Sequence, residues 1–539
     1  SGNIVDIHNR SIFKGTVYFS TEGIHRIEKA ESVPDQYILP GLIDAHVHIE
    51  SSMLVPSRFS RLVVPRGTIG IVTDPHEIGN VLGEEGVRYM IEESGNTPLK
   101  CFFGVPSCVP STPFESAGAV LDVDKVESLL DDPNVYCLSE MMNFPGVVNK
   151  DPGVMAKIKA AQKRNLPIDG HAPGVMGEDL QKYAAAGIST DHECFSLDEA
   201  LDKIHNGMKI QVREGSAARN FEALAKLFEL HPEKLMLCTD DSHPDELVHR
   251  GHIDKLIKKG IEKGIDLFAL LRAASLNPVL HYGLPVGLLR EGDPSDFIVV
   301  DNLSDFNVLQ TYIEGTKVFD LEKGILFEKH SFEMRNQFQT HFISEKELDL
   351  TVPEGKNSAR IIRCQDGELV TPSFQMHVDP GQNIISDTGE DMLKIVVVDR
   401  YQYKPVSVGL IQGFGLKKGA LASSVAHDSH NVVAVGVEDA DIVGAVNAVM
   451  ENRGGLAVVH GEEKHDLPLP IAGLMSALDG EEVASLYGKI DEKAKEMGCS
   501  LQAPFMTLSF MSLLVIPELK IGDAGLFDVN KFSFVSLFE

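Results

Sequence analysis

Cysteine is scarce in this chain, and what there is comes unpaired. The seven cysteines stand at positions 101, 108, 137, 194, 238, 364 and 499, an odd number at low density with no CxxC pair. That argues against a disulfide framework and against a thiolate zinc site, and it points to a reducing, cytoplasmic compartment. Positive charge is short as well: 49 Lys and Arg face 79 Asp and Glu, for a formal net charge of −30. A surface this acidic repels phosphate backbones and anionic membranes, and no dense Lys/Arg run offsets it, so nucleic acid and membrane are poor partners. Long apolar runs are missing too. The longest, around residues 508–516, falls far short of the ~20 residues a membrane span needs. The opening Ser1-Gly2-Asn3-Ile4 shows no basic region leading into an apolar one, so no signal peptide is expected. Without an initiator Met, a truncated or processed start is expected. Internal repeats and low-complexity segments are absent.

What remains is ordinary globular composition, 43% hydrophobic and 24% charged over 539 residues, which excludes bulk disorder and suggests about three to four domains. From residue 38 to 283, eight short apolar runs alternate with amphipathic stretches: 38–49, 68–73, 99–105, 135–141, 167–169, 187–190, 208–213 and 234–239. Their Ile, Val, Leu and Phe content suits buried parallel strands. Between them, VMAKIKAAQKR (154–164) and FEALAKLFEL (221–230) carry apolar residues at helical spacing. Eight strands alternating with helices predict a (β/α)₈ TIM-like barrel. Residues 1–37 and 284–330 hold short β-rich pieces, such as 16–19, 23–28, 296–300 and 317–319, and together predict one small β domain built from both flanks. Residues 331–539 restart with strands at 394–399, 431–437 and 456–459 and helices at 439–451 and 481–497, a separate C-terminal α/β (α+β) domain.

The chemistry gathers where the barrel strands stop. Strand one ends Asp44-Ala45-His46-Val47-His48; residues i and i+2 share a face, so His46 and His48 can grip one ion. Strand two ends Asp74-Pro75-His76-Glu77, strand four Leu138-Ser139-Glu140, strand five Asp169-Gly170-His171, strand six Asp191-His192-Glu193 and strand eight Thr239-Asp240-Asp241-Ser242-His243. Each alone reads equally well as a hydrogen-bonded core histidine or a solvated carboxylate. Together they recur at the carboxyl ends of different strands, the face on which barrel enzymes place catalytic groups. A metal site is expected there, and imidazoles with carboxylates suit Mn²⁺, Fe²⁺ or Zn²⁺.

These residues carry a resemblance. The order HxH, acid on strand four, His on five, His on six and Asp on eight resembles the amidohydrolase superfamily of metal-dependent hydrolases. The lead-in PGLIDAHVHIESS and the exit at 275–301 resemble that superfamily's boundaries. Within it, DAHVHIESSML (44–54), TDPHEIGNV (73–81), EMMNFPGV (140–147), DGHAPG (169–174), TDHE (190–193), REGSAARN (213–220) and CTDDSHP (238–244) resemble the bacterial adenine deaminases. VAHDSHNVVAVG (425–436) is similar to their C-terminal domain. The likeness covers nearly the whole chain and departs at the N-terminus, where the family carries a further segment.

The resemblance implies the following roles. Many superfamily members bridge two metals with a carboxylated lysine on strand four; Glu140 stands there instead, as in adenine deaminases, and is the implied bridge. His46, His48 and Asp240 would hold one metal and His171 and His192 the other, a binuclear centre of Mn²⁺ or Fe²⁺, with Zn²⁺ as the alternative. The implied reaction is hydrolysis of adenine, the small-molecule substrate, to hypoxanthine and ammonia in purine salvage. Asp240 is the implied proton shuttle, Glu140 shares that role, and His76 is the second proton-transfer group. Asp74 either orients His76 or is a turn residue before Pro75, and Glu77 stands beside them with a less defined role. Ser242 and His243 either contact the purine edge or are simple loop polarity. His427 and His430 read as a loop pair suited to a metal or as a hydrogen-bonded turn, and the resemblance places them near the active-site mouth. Many barrel hydrolases self-associate, and a homodimer is expected. The competing readings are another amidohydrolase, acting on a cyclic amide, guanine or cytosine, and a metal-free scaffold of the same fold; the filled ligand positions speak against the scaffold.

Overall fold

Two parallel sheets of the protein, a computed structural model that describes residues 1–216, 218–339 and 341–539, together form the barrel wall. The first contains β1 (Leu42–Val47), β2 (Thr68–Thr73), β3 (Lys100–Val105), β4 (Val135–Met141) and β5 (Ile168–Gly170), paired in that order. The second contains β6 (Thr190–Asp191), β7 (Lys209–Arg213) and β8 (Leu235–Cys238). Backbone hydrogen bonds close both seams. The Ser189 N–H donates to Ile168 O at 2.8 Å, and the Asp240 N–H donates to His46 O at 2.9 Å. β1, β2 and β8 are buried at every residue, as strands covered on both faces must be.

The long first run, 38–49, is not one strand. Tyr37–Pro40 pairs with Gly2–Asp6 and with Phe297–Val300 in the small sheet, and β1 starts only at Leu42. The small domain therefore keeps the chain past residue 37, to Pro40. Gly41 makes the break: a Cβ there would sit 2.4 Å from Ile69 Cγ1, so the chain passes into the barrel only where no side chain intrudes. The 221–230 helix also divides, into Phe221–Leu224 and Leu227–Leu230, although Ala225 and Lys226 keep helical angles.

The small sheet takes its eight strands from both flanks of the barrel and has its own apolar cluster around Ile4, Ile24, Phe297 and Val299. Beyond it, the chain touches the barrel where Tyr89 Oη donates to Glu333 O at 2.8 Å and then packs on the C-terminal region, where Phe338, Ile343 and Leu348 join its apolar cluster and Glu345–Leu348 forms a 3₁₀ turn. The C-terminal region builds a second eight-stranded sheet, centred on Leu393–Val398 and Val432–Gly436, with helices Asp439–Glu451 and Gly480–Glu496. Its inner face shares one apolar core with the barrel, which runs from Val5 to Leu526. That shared core seats the C-terminal region on the barrel mouth. Among the described residues no helix is long and apolar enough to cross a membrane.

Candidate metal centre and active site

Glu140, second from the end of β4, is the point on which the strand ends converge. Its Oε2 lies 2.7 Å from His171 Nδ1 and 3.2 Å from His192 Nε2. Its Oε1 lies 3.5 Å from His48 Nε2 and 3.4 Å from His76 Nδ1. The two oxygens of one carboxylate thus face two separate groups of imidazoles. Burial works against charge on Glu140, yet His171 and His192 hold its carboxyl well below the usual range.

On the β1 side, Asp240 Oδ1 lies 3.2 Å from His48 Nε2 and 3.7 Å from His46 Nε2. His48 Nδ1 lies 3.0 Å from the Asp74 carbonyl, which can only accept, so Nδ1 carries the proton and the Nε2 lone pair faces inward. His46 Nε2 is buried without a hydrogen-bond partner. Burial lowers the His46 pKa, and the neighbouring rings of His192 and His48 lower it further, which favours the neutral imidazole that a metal requires. Asp240 follows β8 with φ of 55°, a left-handed conformation that costs a non-glycine residue energy and that clusters at functional sites.

These features fit a divalent metal centre. His46, His48 and Asp240 form one group with ligand atoms within 4.8 Å of one another; His46, Glu140 and His192 form a second; His171, His192 and Glu193 a third. An orphaned, buried imidazole nitrogen and a donor set of nitrogens and carboxylates are what such an ion would satisfy. His76 stands beside this centre. Its Nδ1 is 3.2 Å from Asp74 Oδ2 and its Nε2 3.4 Å from Glu77 Oε1. Burial opposes charge on His76, but Glu77 and Asp74 hold its pKa well above the usual value.

Two charged residues were not assigned from the sequence. Arg213, at the end of β7, donates to Glu193 Oε1 at 2.5 Å and to Asp240 Oδ2. Glu193 Oε1 in turn lies 3.4 Å from His192 Nε2 and 3.6 Å from His171 Nδ1. The Arg213 guanidinium therefore fixes one oxygen of Asp240 and leaves the other to the histidines. The signal was present in TDHE and REGSAARN, whose acid and arginine stand at strand ends; Ala217 of the latter lies outside the described residues.

The cavity above this floor is lined by His48, His76, Glu140, His171, His192 and Asp240 below and by Phe510, Leu513, Val515 and Ile516 of the C-terminal region above. Ser242 and His243 are not among its lining residues. Ser242 is buried, and His243 packs its ring on Tyr487 with centroids 4.7 Å apart. Glu77 does line the cavity, but its carboxylate is engaged by His427 Nδ1 at 2.7 Å and by His430 Nε2.

Comparison with known proteins agrees with a metal-dependent hydrolase barrel. Residues 37–318 match the Amidohydrolase family, and residues 368–533 match the Adenine deaminase C-terminal domain. The chain is 57% identical to an adenine deaminase of Methanosarcina barkeri over 544 aligned positions, covering 100% of this chain and 98% of that one. It is 52% identical to an adenine deaminase of Sulfurovum sp., with 99% and 98% covered, and 47% identical to one of Parabacteroides distasonis, with 100% and 98% covered. The chain belongs to the adenine deaminase family of the amidohydrolases, a family that uses divalent metal.

Proposed function

We propose that the protein hydrolyses adenine to hypoxanthine and ammonia, with His46, His48 and Asp240 holding one divalent ion, His171 and His192 a second, and Glu140 spanning both. The observation that carries the reading is identity of 57% over the full chain to an adenine deaminase. The arrangement of Glu140, with each oxygen toward a different group of histidines, supports a bridging role. Bound divalent ions supply Lewis acidity, which makes water nucleophilic near pH ~7. The nitrogen-and-carboxylate donor set suits Mn²⁺ or Fe²⁺, with Zn²⁺ as the alternative.

The protein's own residues then handle protons and position. Water adds to C6 of adenine, and Asp240 Oδ1, free of Arg213, takes the proton that water sheds. Glu140 stands next to that path and shares it. The ring nitrogen N1 must gain a proton as C6 becomes tetrahedral, and the amine must gain another to leave as ammonia. Asp240 passes that first proton to N1; the hydroxyl left on C6 then sheds water's second proton, which Asp240 carries to the departing amine as the C6 carbonyl forms, so water and adenine account for every atom of the products. His76, held protonated between Asp74 and Glu77, polarises the ring. The apolar roof of Phe510, Leu513, Val515 and Ile516 suits the face of a flat base and limits bulk water. The reading includes a homodimer and a purine-salvage role in the cytoplasm; sedimentation tests the dimer.

The test is a deaminase assay on adenine, adenosine, guanine and cytosine with Mn²⁺, Fe²⁺ and Zn²⁺ each supplied. Ammonia release from adenine is expected, with the other three poor. Adenine left untouched with all three metals refutes the assignment.

A further inference from the structure

His427 reaches the cavity from the C-terminal region, and no step above uses it. It is 3% exposed, yet it lines the same cavity as His48 and Glu140. Its place is built from several directions. The His427 N–H donates to Ser509 O at 3.1 Å. Its ring stacks on Phe510 with centroids 4.6 Å apart and planes 20° apart. Tyr401 Oη donates to Ser429 O at 2.7 Å and Arg400 Nη1 to His430 O at 3.3 Å, so the loop that carries the ring is pinned on both sides.

The protons on these rings follow from their partners. The Ala426 N–H lies 3.2 Å from His430 Nδ1, so Nδ1 is the acceptor and the His430 proton sits on Nε2. His430 Nε2 stands in close contact with Glu77 Oε2. The other oxygen of Glu77 then faces His427 Nδ1 at 2.7 Å, and His427 donates there. With Nδ1 turned to Glu77, Nε2 is the ring nitrogen that His427 has left to offer the cavity it lines. Burial pulls the His427 pKa down, but Glu77 lifts it to about 9, which puts a second proton on that nitrogen near neutral pH.

We infer that His427 is a substrate-contacting residue, a ring-nitrogen reader supplied by the C-terminal region, which donates from Nε2 to an acceptor nitrogen of the purine. Such a bond withdraws electron density from the ring and makes C6 a better electrophile. Glu77 and His430 act through His427 as positioning residues. The inference rests on the adenine reading above and adds the residue that senses the ring edge.

The experiment uses the full-length, metal-loaded protein and two variants. His427→Phe keeps the stack on Phe510 and removes both nitrogens, whereas His427→Gln keeps a donor. Wild-type turnover of adenine in the same assay reports on the adenine reading itself, independently of either variant. The expected result for His427→Phe is a loss in kcat/KM of about 100-fold, within the range for a lost catalytic hydrogen-bond donor, with metal content unchanged. His427→Gln is expected to retain part of the activity. Equilibrium binding of 1-, 3- and 7-deazaadenine to wild type and variant then identifies the contact. For one analogue, the one that lacks the nitrogen His427 addresses, the ratio of affinities should fall to about 1. If every analogue shows the same ratio as adenine, or if the variants lose metal and activity together, His427 is only a structural wedge and the inference fails. Activity within about threefold of wild type in His427→Phe overturns it as well.

Discussion

Lys203 sits fully buried beneath the loops that present His171 and His192, and replacing it with Met should cost far more than a surface charge would. Its Nζ donates to Asp191 Oδ1 at 2.9 Å, Glu199 Oε1 at 2.8 Å and Ala172 O at 2.7 Å. Both carboxylates are themselves buried. Asp191 also accepts from the Ala172 N–H at 2.9 Å and the Glu193 N–H at 2.8 Å, one residue beyond His171 and His192 respectively. Removing the cation leaves two carboxylates in the interior without their counter-ion, and breaking a buried pair in this way costs about 3–5 kcal/mol. Urea unfolding at pH 7, followed by circular dichroism, should show a loss of that size for Lys203→Met. The double variant Lys203→Met/Glu199→Gln should recover part of it, because one stranded charge is gone. Metal analysis should show a weakened site at His171 and His192, since both loops hang on Asp191. A loss of less than about 1 kcal/mol, or no recovery in the double variant, would refute the reasoning.

Three further outcomes are expected. Lys520 is fully buried with Leu369 O as its hydrogen-bond partner at 2.8 Å, and burial lowers its pKa to about 7. The unfolded chain therefore binds more protons between pH ~7 and ~10, so stability should rise with pH across that window by up to about 1.4 kcal/mol per unit from this one group. Lys520→Met should remove that slope in urea midpoints taken at pH 7 to 10; an identical slope in both proteins counts against the burial argument. Gly41→Ala should destabilise by about 1–3 kcal/mol, because its Cβ meets Ile69 in a filled core; a thermal midpoint equal to wild type would mean that the small sheet and barrel part easily there. Phe510→Ala should raise KM for adenine about tenfold at constant metal content, in line with the worth of aromatic stacking on a base; unchanged KM would remove Phe510 from the surroundings of the base.

The barrel was legible because its strands are short apolar runs ending in chemistry-bearing residues, a pattern that survives without any knowledge of packing. β5 and β6 are only three and two residues long, yet the DGH and TDHE motifs marked them. The split of 38–49 was not legible: Tyr37–Pro40 and β1 are both apolar, and only their different pairing partners separate them. At the site, the neighbours in sequence order were readable, such as His46 with His48. Contacts across the chain were not. Arg213 meets Asp240 across 27 positions, and Glu77 meets His427 across 350 positions, so each partner looked like an isolated polar residue. Ser242 and His243 follow Asp240 in sequence, but the chain turns after Asp240 and carries both away from the cavity.

The central claim is that Glu140 joins two divalent ions in a centre that deaminates adenine. Titrating metal-free protein with Mn²⁺ while following adenine turnover tests it most directly. Activity should rise to a plateau at about two equivalents per chain in wild type, and Glu140→Gln should bind less metal and lose about 100-fold or more in turnover. A plateau at one equivalent, or full activity in Glu140→Gln, would contradict it.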